Sequence, residues 1–223
     1  MNLADARIAV LAESQYQELE LWYPVLRLRE EGADVVVVAP STEQVYGSKL
    51  GYPVYADVAA ADVDVTELDG VIIPGGFAPE GMRRNPAMVQ LVRAAHDQGS
   101  LVAAICHAGW MLASAGIAHG RVVTCVSVIK DDVISAGGEY VDQPVVRDGN
   151  IITSRLPGDL PVFCREIIQY LRDVPERQGA AGRPRLGGVH SSAEYATPAP
   201  ITMVARERSS ANYGTIAALR EST

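Results

Sequence analysis

Short apolar runs alternate with amphipathic stretches through the first three quarters of this 223-residue chain. RIAVLAE (7–13), DVVVVAP (34–40), GVIIPGG (70–76) and SLVAAIC (100–106) are almost continuously apolar. Strands buried on both faces of a parallel sheet read this way. Between them, residues 17–31, 86–98 and 107–115 have helical spacing. This is the βαβ rhythm of an α/β fold with a doubly wound, mostly parallel sheet and helices on both faces. QVYGSKLGYPVYAD (44–57) reads as a hairpin around Gly47 or Gly51. VVTCV (122–126), PVVRDG (144–149) and NIITSR (150–155) read as later strands, the last two joined at Asp148-Gly149. DLPVFCREIIQYLRD (159–173) has the pattern of a closing helix.

Beyond Asp173 the pattern dissolves into Gly, Pro, Ser and Ala with scattered apolar residues such as Ile201, Met203 and Tyr213. The chain therefore divides into an α/β domain, 1–173, and a C-terminal extension, 174–223. The extension reads either as a loosely ordered tail or as an arm that packs on a neighbouring subunit.

Composition narrows the function. A net charge of −8 argues against a nucleic-acid binder, which needs a basic face, and gives no attraction to anionic membranes. No apolar run approaches the ~18 residues of a membrane span, and residues 1–13 lack the basic and apolar regions of a signal peptide. Cys106, Cys125 and Cys164 form no CxxC pair and no metal-ligand spacing. A sparse, odd set of cysteines suits a reducing cytoplasm. No metal and no cofactor are expected.

The chemistry concentrates at Cys106. A thiol where a parallel strand gives way to a helix is projected above the sheet edge, where α/β folds bind ligands. The helix N-terminus is expected to lower its pKa. Such an elbow needs small neighbours two residues either side, and Ala104 and Ala108 supply them. The plain alternative is an inert buried thiol, the reading that Cys125 and Cys164 receive. Gly75 and Gly76 end another strand and let backbone N–H groups approach a ligand. One of them, with the His107 N–H, forms a candidate oxyanion hole.

On these residues the chain resembles the ThiJ/PfpI superfamily, closest to its PfpI-like branch, with the flavodoxin-like fold of type 1 glutamine amidotransferases. The matching blocks are ELELWYPVLRLREEGADVVVVAP (18–40), DGVIIPGGFAPE (69–80), VAAICHAGWMLASAGIAHGR (102–121), IKDDVISAGGEYVD (129–142) and VVRDGNIITSRLPGDL (145–160). The resemblance implies that Cys106 is the nucleophile and that Glu20 is the acid hydrogen-bonded to it. It also implies that His107 follows as in PfpI-type members, that Gly75 and His107 give the oxyanion-hole backbone, and that Glu80 is lent to a neighbouring subunit's site. A homodimer or higher homo-oligomer follows.

The helical wheel alone puts Glu20 with Tyr23 and Arg27, opposite Leu19, Leu21, Trp22, Val25, Leu26 and Leu28, and so in solvent. Beside a thiolate, Glu20 would keep its proton. Val126 stands where many relatives carry a His or Tyr. The expected function is cofactor-free cysteine chemistry on a small-molecule or peptide substrate: glyoxalase or deglycase action on carbonyls, or amide hydrolysis. The alternative is a redox-responsive or chaperone-like protein that uses an exposed, oxidisable Cys106. Glutaminase action is excluded because no late His-x-Glu pair occurs.

Overall fold

A computed structural model describes residues 1–175; the C-terminal extension beyond residue 175 lies outside the described residues. The elements run β1 (Arg7–Leu11), α1 (Glu18–Glu30), β2 (Asp34–Ala39), β3 (Val45–Gly47), β4 (Pro53–Tyr55), β5 (Val58–Ala59), β6 (Gly70–Ile73), α2 (Ala78–Met82) and α3 (Pro86–Asp97). They continue through β7 (Leu101–Ile105), α4 (Gly109–Ser114), β8 (Val122–Val123), α5 (Lys130–Ser135), β9 (Glu139–Tyr140), β10 (Val145–Asp148), β11 (Ile151–Ser154) and α6 (Leu160–Asp173).

Seven strands form the central sheet in the order β10-β11-β7-β6-β1-β2-β5. All pairings are parallel except the β10–β11 hairpin, which closes one edge. Every residue of β1, β2, β6, β7 and β11 is buried, which explains why those runs are almost wholly apolar. The chain leaves β1 toward β2 on one side, and β6 lies on the other. The strand order thus reverses between β1 and β6, and the carboxyl ends of β1, β6 and β7 open onto the crevice where such sheets bind ligands.

The strands stop earlier than their apolar runs do. β6 ends at Ile73 and β7 at Ile105, which frees Pro74-Gly75-Gly76 and Cys106-His107-Ala108 as loop and turn at the crevice. Residues 122–126, expected as a strand, give only β8. It pairs with β9 in a separate two-stranded ladder and reaches the main sheet through side chains. The Val122 N–H donates to Asp148 Oδ2 and the Thr124 N–H to Thr153 Oγ1, both at 2.9 Å.

The expected hairpin is β3–β4, with Gly51 at φ 84° in its turn. It is fastened over the start of α1. The Lys49 N–H donates to the Tyr16 carbonyl at 2.9 Å and the Leu50 N–H to Glu18 Oε1 at 2.6 Å. The Tyr16 hydroxyl donates to the Tyr52 carbonyl at 2.7 Å. Tyr16 also bridges Ser48 on one side and Gly76 on the other.

Helix α1 corrects the wheel reading. Its buried set is Glu20, Leu21, Pro24, Val25 and Leu28, whereas Leu19 and Leu26 are 55% and 61% exposed. The sheet takes a stripe rotated away from the one the wheel favoured, and Glu20 falls inside it at the crevice end.

Candidate active site

Cys106 has φ 62°, one of two non-glycine residues with positive φ among the described residues; the other is Gln15. The left-handed conformation strains an L-residue and persists only where surrounding structure enforces it. Here a β-strand meets a single 3-10 turn, Cys106–Ala108, that leads into α4. The strain projects the side chain off the sheet edge. Ala104 and Ala108 are buried against the elbow, as their small size predicted.

The Cys106 sulfur lies 3.3 Å from His107 Nδ1. Backbone N–H groups of Gly76 and His107 are directed at the sulfur and favour its anion. Glu20 is fully buried. Its Oε2 accepts from the Gly75 N–H at 2.8 Å, and its Oε1 is buried with no hydrogen-bond partner among the described residues.

This geometry alters one expectation about the backbone donors. The Gly75 N–H is already committed to Glu20, so the pair that faces the sulfur is Gly76 and His107. Gly75 has a different task. A Cβ there would sit 2.6 Å from Glu20 Oε2, 2.7 Å from Cys106 Cβ and 3.0 Å from the His107 nitrogen. Only glycine lets these three groups converge. Gly76, at φ 74°, packs against the backbone of Gln15 and Gln17.

The electrostatics also differ from expectation. The helix terminus was expected to acidify Cys106. Instead burial, and then the negative charge of Glu20, push the thiol up to about 12, against the two N–H groups. A one-turn 3-10 segment and the six-residue α4 are too short to outweigh desolvation. Burial likewise raises Glu20 to about 7, against the Gly75 N–H, the Cys106 hydrogen bond and the Lys49 charge. The negative charge of Glu20 opposes thiolate formation, while the thiol, as a hydrogen-bond partner, favours the Glu20 carboxylate, so the two titrate as a pair. Once Glu20 holds the proton, its charge no longer raises the thiol.

His107 is held below its ordinary pKa by burial and by the Lys49 charge, which makes it neutral near pH 7. Its ring packs edge-on to Trp110 with centroids 5.3 Å apart, and against Phe77 at 5.9 Å.

Other residues fall further out. Glu80 is exposed on α2, and its carboxylate pairs with Arg84 at 2.5 Å. Within one protomer it is thus a surface group. Val126 borders the site, its N–H reaching the Cys106 carbonyl at 3.4 Å. All three cysteines, Cys106, Cys125 and Cys164, are free and buried, so burial does not set Cys106 apart; its backbone conformation and its Glu20 neighbour do. Among the described residues no cluster of three or more His, Cys, Asp or Glu could hold a metal ion, and no helix is long and apolar enough to cross a membrane. Lys49, whose charge reaches both Glu20 and His107, went unnoticed in the sequence because it sits in no motif.

The model of the DJ-1/PfpI family matches residues 6–170. This chain belongs to the DJ-1/PfpI family. An uncharacterized protein of Archaeoglobus fulgidus is 48% identical over 166 residues, covering 74% of this chain and 98% of that protein. A protein of Pyrococcus abyssi named as a deglycase is 42% identical, covering 74% and 99%. Among solved structures, a two-domain protein of Anabaena variabilis with DJ-1/ThiJ/PfpI-like and ferritin-like domains superposes with a TM-score of 0.74 and 36% identity. That match spans 80% of this chain and about half, 52%, of the two-domain protein. The parallel α/β sheet is the family fold, and several family relatives are named as deglycases.

Proposed function

We propose that this protein is a cofactor-free cysteine enzyme of glyoxalase or deglycase type, acting on small reactive carbonyl compounds, free or as early adducts of amines. The observation that carries the reading is the convergence of Cys106, on its strained elbow, with the buried Glu20 carboxyl around Gly75. Relatives named as deglycases support it.

The Cys106 sulfur adds to the carbonyl carbon, forming an S–C bond as the C=O π pair moves onto oxygen. The thiol proton passes to the Glu20 carboxylate. A carboxyl near pKa 7 both accepts and returns a proton efficiently at neutral pH. The Gly76 and His107 N–H groups steady the negative charge, first on sulfur and then on the new oxyanion. Glu20 returns the proton to the oxyanion, giving a hemithioacetal. With an α-oxoaldehyde, the freed carboxylate then removes the proton on the former aldehyde carbon and delivers it to the neighbouring carbonyl carbon, while the hemithioacetal hydroxyl proton passes to that carbonyl's oxygen and its own carbon becomes the thioester carbonyl. Water hydrolyses the resulting thioester to a 2-hydroxy acid and frees Cys106.

Carbonyl addition suits the site better than peptide hydrolysis. Addition to a carbonyl has no departing amine to protonate, and the relatives named as deglycases support it. The redox reading calls for a thiol open to oxidants, whereas Cys106 is 8% exposed.

The test is conversion of methylglyoxal to lactate, alongside release of amine from freshly glycated N-acetyl-lysine. Wild type is expected to turn over both, and Cys106→Ser neither. Equal rates in the two proteins, or none in wild type, would overturn the reading.

A further inference from the structure

We infer that Lys49, on the β3–β4 hairpin, is the anion-selecting residue of this site, and that the preferred substrates are small carbonyl compounds bearing a carboxylate. The inference rests on the reading of Cys106 as a nucleophile toward carbonyls and names the substrate class that reading leaves open.

The Lys49 ammonium stands 5.3 Å from the centroid of the Phe77 ring. Phe77 packs against His107, and His107 Nδ1 lies 3.3 Å from the Cys106 sulfur. Two rings, Phe77 and His107, thus connect the cation to the reacting atom. Its charge reaches Glu20 and His107, so it acts across the site.

Lys49 is placed there by backbone. Its own N–H is bonded to the Tyr16 carbonyl, and the next N–H, of Leu50, to Glu18 Oε1. Tyr16 is bridged in turn to Gly76, so the hairpin and the oxyanion loop share one fixed edge. Among the described residues no carboxylate forms a salt bridge with Lys49. The Glu18 carboxylate feels its charge but is committed to Leu50.

Lys49 is exposed, and its ammonium is available to a ligand. A substrate whose carbonyl sits over Cys106 would direct a neighbouring carboxylate outward, toward the ammonium. A neutral α-oxoaldehyde gains nothing there. His107, neutral, and Glu20, protonated when the thiolate forms, offer that carboxylate no cation; Arg83, over the Trp110 ring that packs on His107, is the other cation near the site and donates to Ser114 Oγ.

The test does not require turnover. Rates of Cys106 alkylation by iodoacetate, an anion, and by iodoacetamide, its neutral counterpart, are measured on the full chain for wild type, Lys49→Gln and Lys49→Arg. Mass spectrometry assigns the label to Cys106 rather than to Cys125 or Cys164. The iodoacetate-to-iodoacetamide ratio is expected to fall about tenfold in Lys49→Gln, the scale of one charge pair near a surface. It should be restored in Lys49→Arg and should fall with added salt in wild type. In turnover, the ratio of kcat/KM for 4,5-dioxopentanoate, an α-oxoaldehyde that bears a carboxylate, to that for methylglyoxal should fall in the same direction, mostly through KM.

An unchanged alkylation ratio in Lys49→Gln overturns the inference. So does an equal fall in both alkylation rates, which would mark Lys49 as a brace for the hairpin. Absence of turnover on every carbonyl, with the alkylation ratio still governed by Lys49, would overturn the catalytic reading and leave anion selection standing.

Discussion

The Gly75 N–H donates to Glu20 Oε2 at 2.8 Å, and the same glycine leaves no room for a Cβ between that oxygen and Cys106. One residue thereby orients the buried acid and lets it approach the thiol.

Replacing Gly75 by Ala should separate those groups. The added methyl meets Cys106 Cβ and the His107 backbone, neither of which is a flexible side-chain end. Overpacking of this kind costs about 1–3 kcal/mol. Turnover of methylglyoxal should fall a hundredfold or more, with a lower Tm in the same variant. Retention of wild-type kinetics would show that the close packing is dispensable.

Glu20 should leave a signature in stability. Its folded pKa, about 7, lies above the ordinary carboxyl value of 4.5. The native state therefore holds more protons than the unfolded chain between those values, and stability falls as pH rises through that window. Glu20→Gln removes this dependence and keeps an oxygen for the Gly75 N–H. The variant should gain on the order of 2 kcal/mol over wild type at pH 8 and little at pH 4. Urea unfolding at the two pH values measures the difference. Parallel pH profiles would argue against a buried, ionising Glu20.

The thiol should respond in the same variant. Removing the negative charge of Glu20 removes the second cause of the raised Cys106 pKa. The pH midpoint of Cys106 alkylation by iodoacetamide should lie above the free-thiol value of about 8.5 in wild type. It should move down in Glu20→Gln by roughly one unit, while methylglyoxal turnover is lost with the proton acceptor. An upward shift would mean that Glu20 lowers the thiol pKa.

Glu80 separates a shared site from a single-chain one. Its exposed pair with Arg84 is worth about 0–1 kcal/mol, so Glu80→Gln should barely alter Tm. In an assembled homo-oligomer we expect turnover to fall several-fold, with sedimentation unchanged. Full activity in an oligomer of this variant would remove Glu80 from the chemistry.

The parallel sheet was legible because strands buried on both faces leave little choice of residue. The elbow was legible because its geometry demands small neighbours, here Ala104 and Ala108. Glu20 was not legible from periodicity. Leu19 and Leu26 carry apolar side chains into solvent, and a wheel counts what residues are, not which stripe the sheet takes. The direction of the Cys106 shift was missed because desolvation depends on what packs around a group, which a motif does not record. Helices α2 and α5 escaped because five or six residues hold too little periodicity; the equally short α4 was marked by the Cys106 elbow that precedes it. VVTCV was read as a longer strand because apolar runs do not reveal where hydrogen-bond partners end.

The hairpin of β3 and β4 lies outside the central sheet and is fastened to the crevice rim by a few bonds around Tyr16. Cys106 stands at the end of β7 and Glu20 on α1. On the proposed assignment of Lys49, what the protein accepts and what it does to it are written on separate lengths of chain. A short run such as residues 45–55 can be exchanged between relatives, or randomised in a library, to retune substrate choice. The Cys106 and Glu20 machinery would be inherited whole.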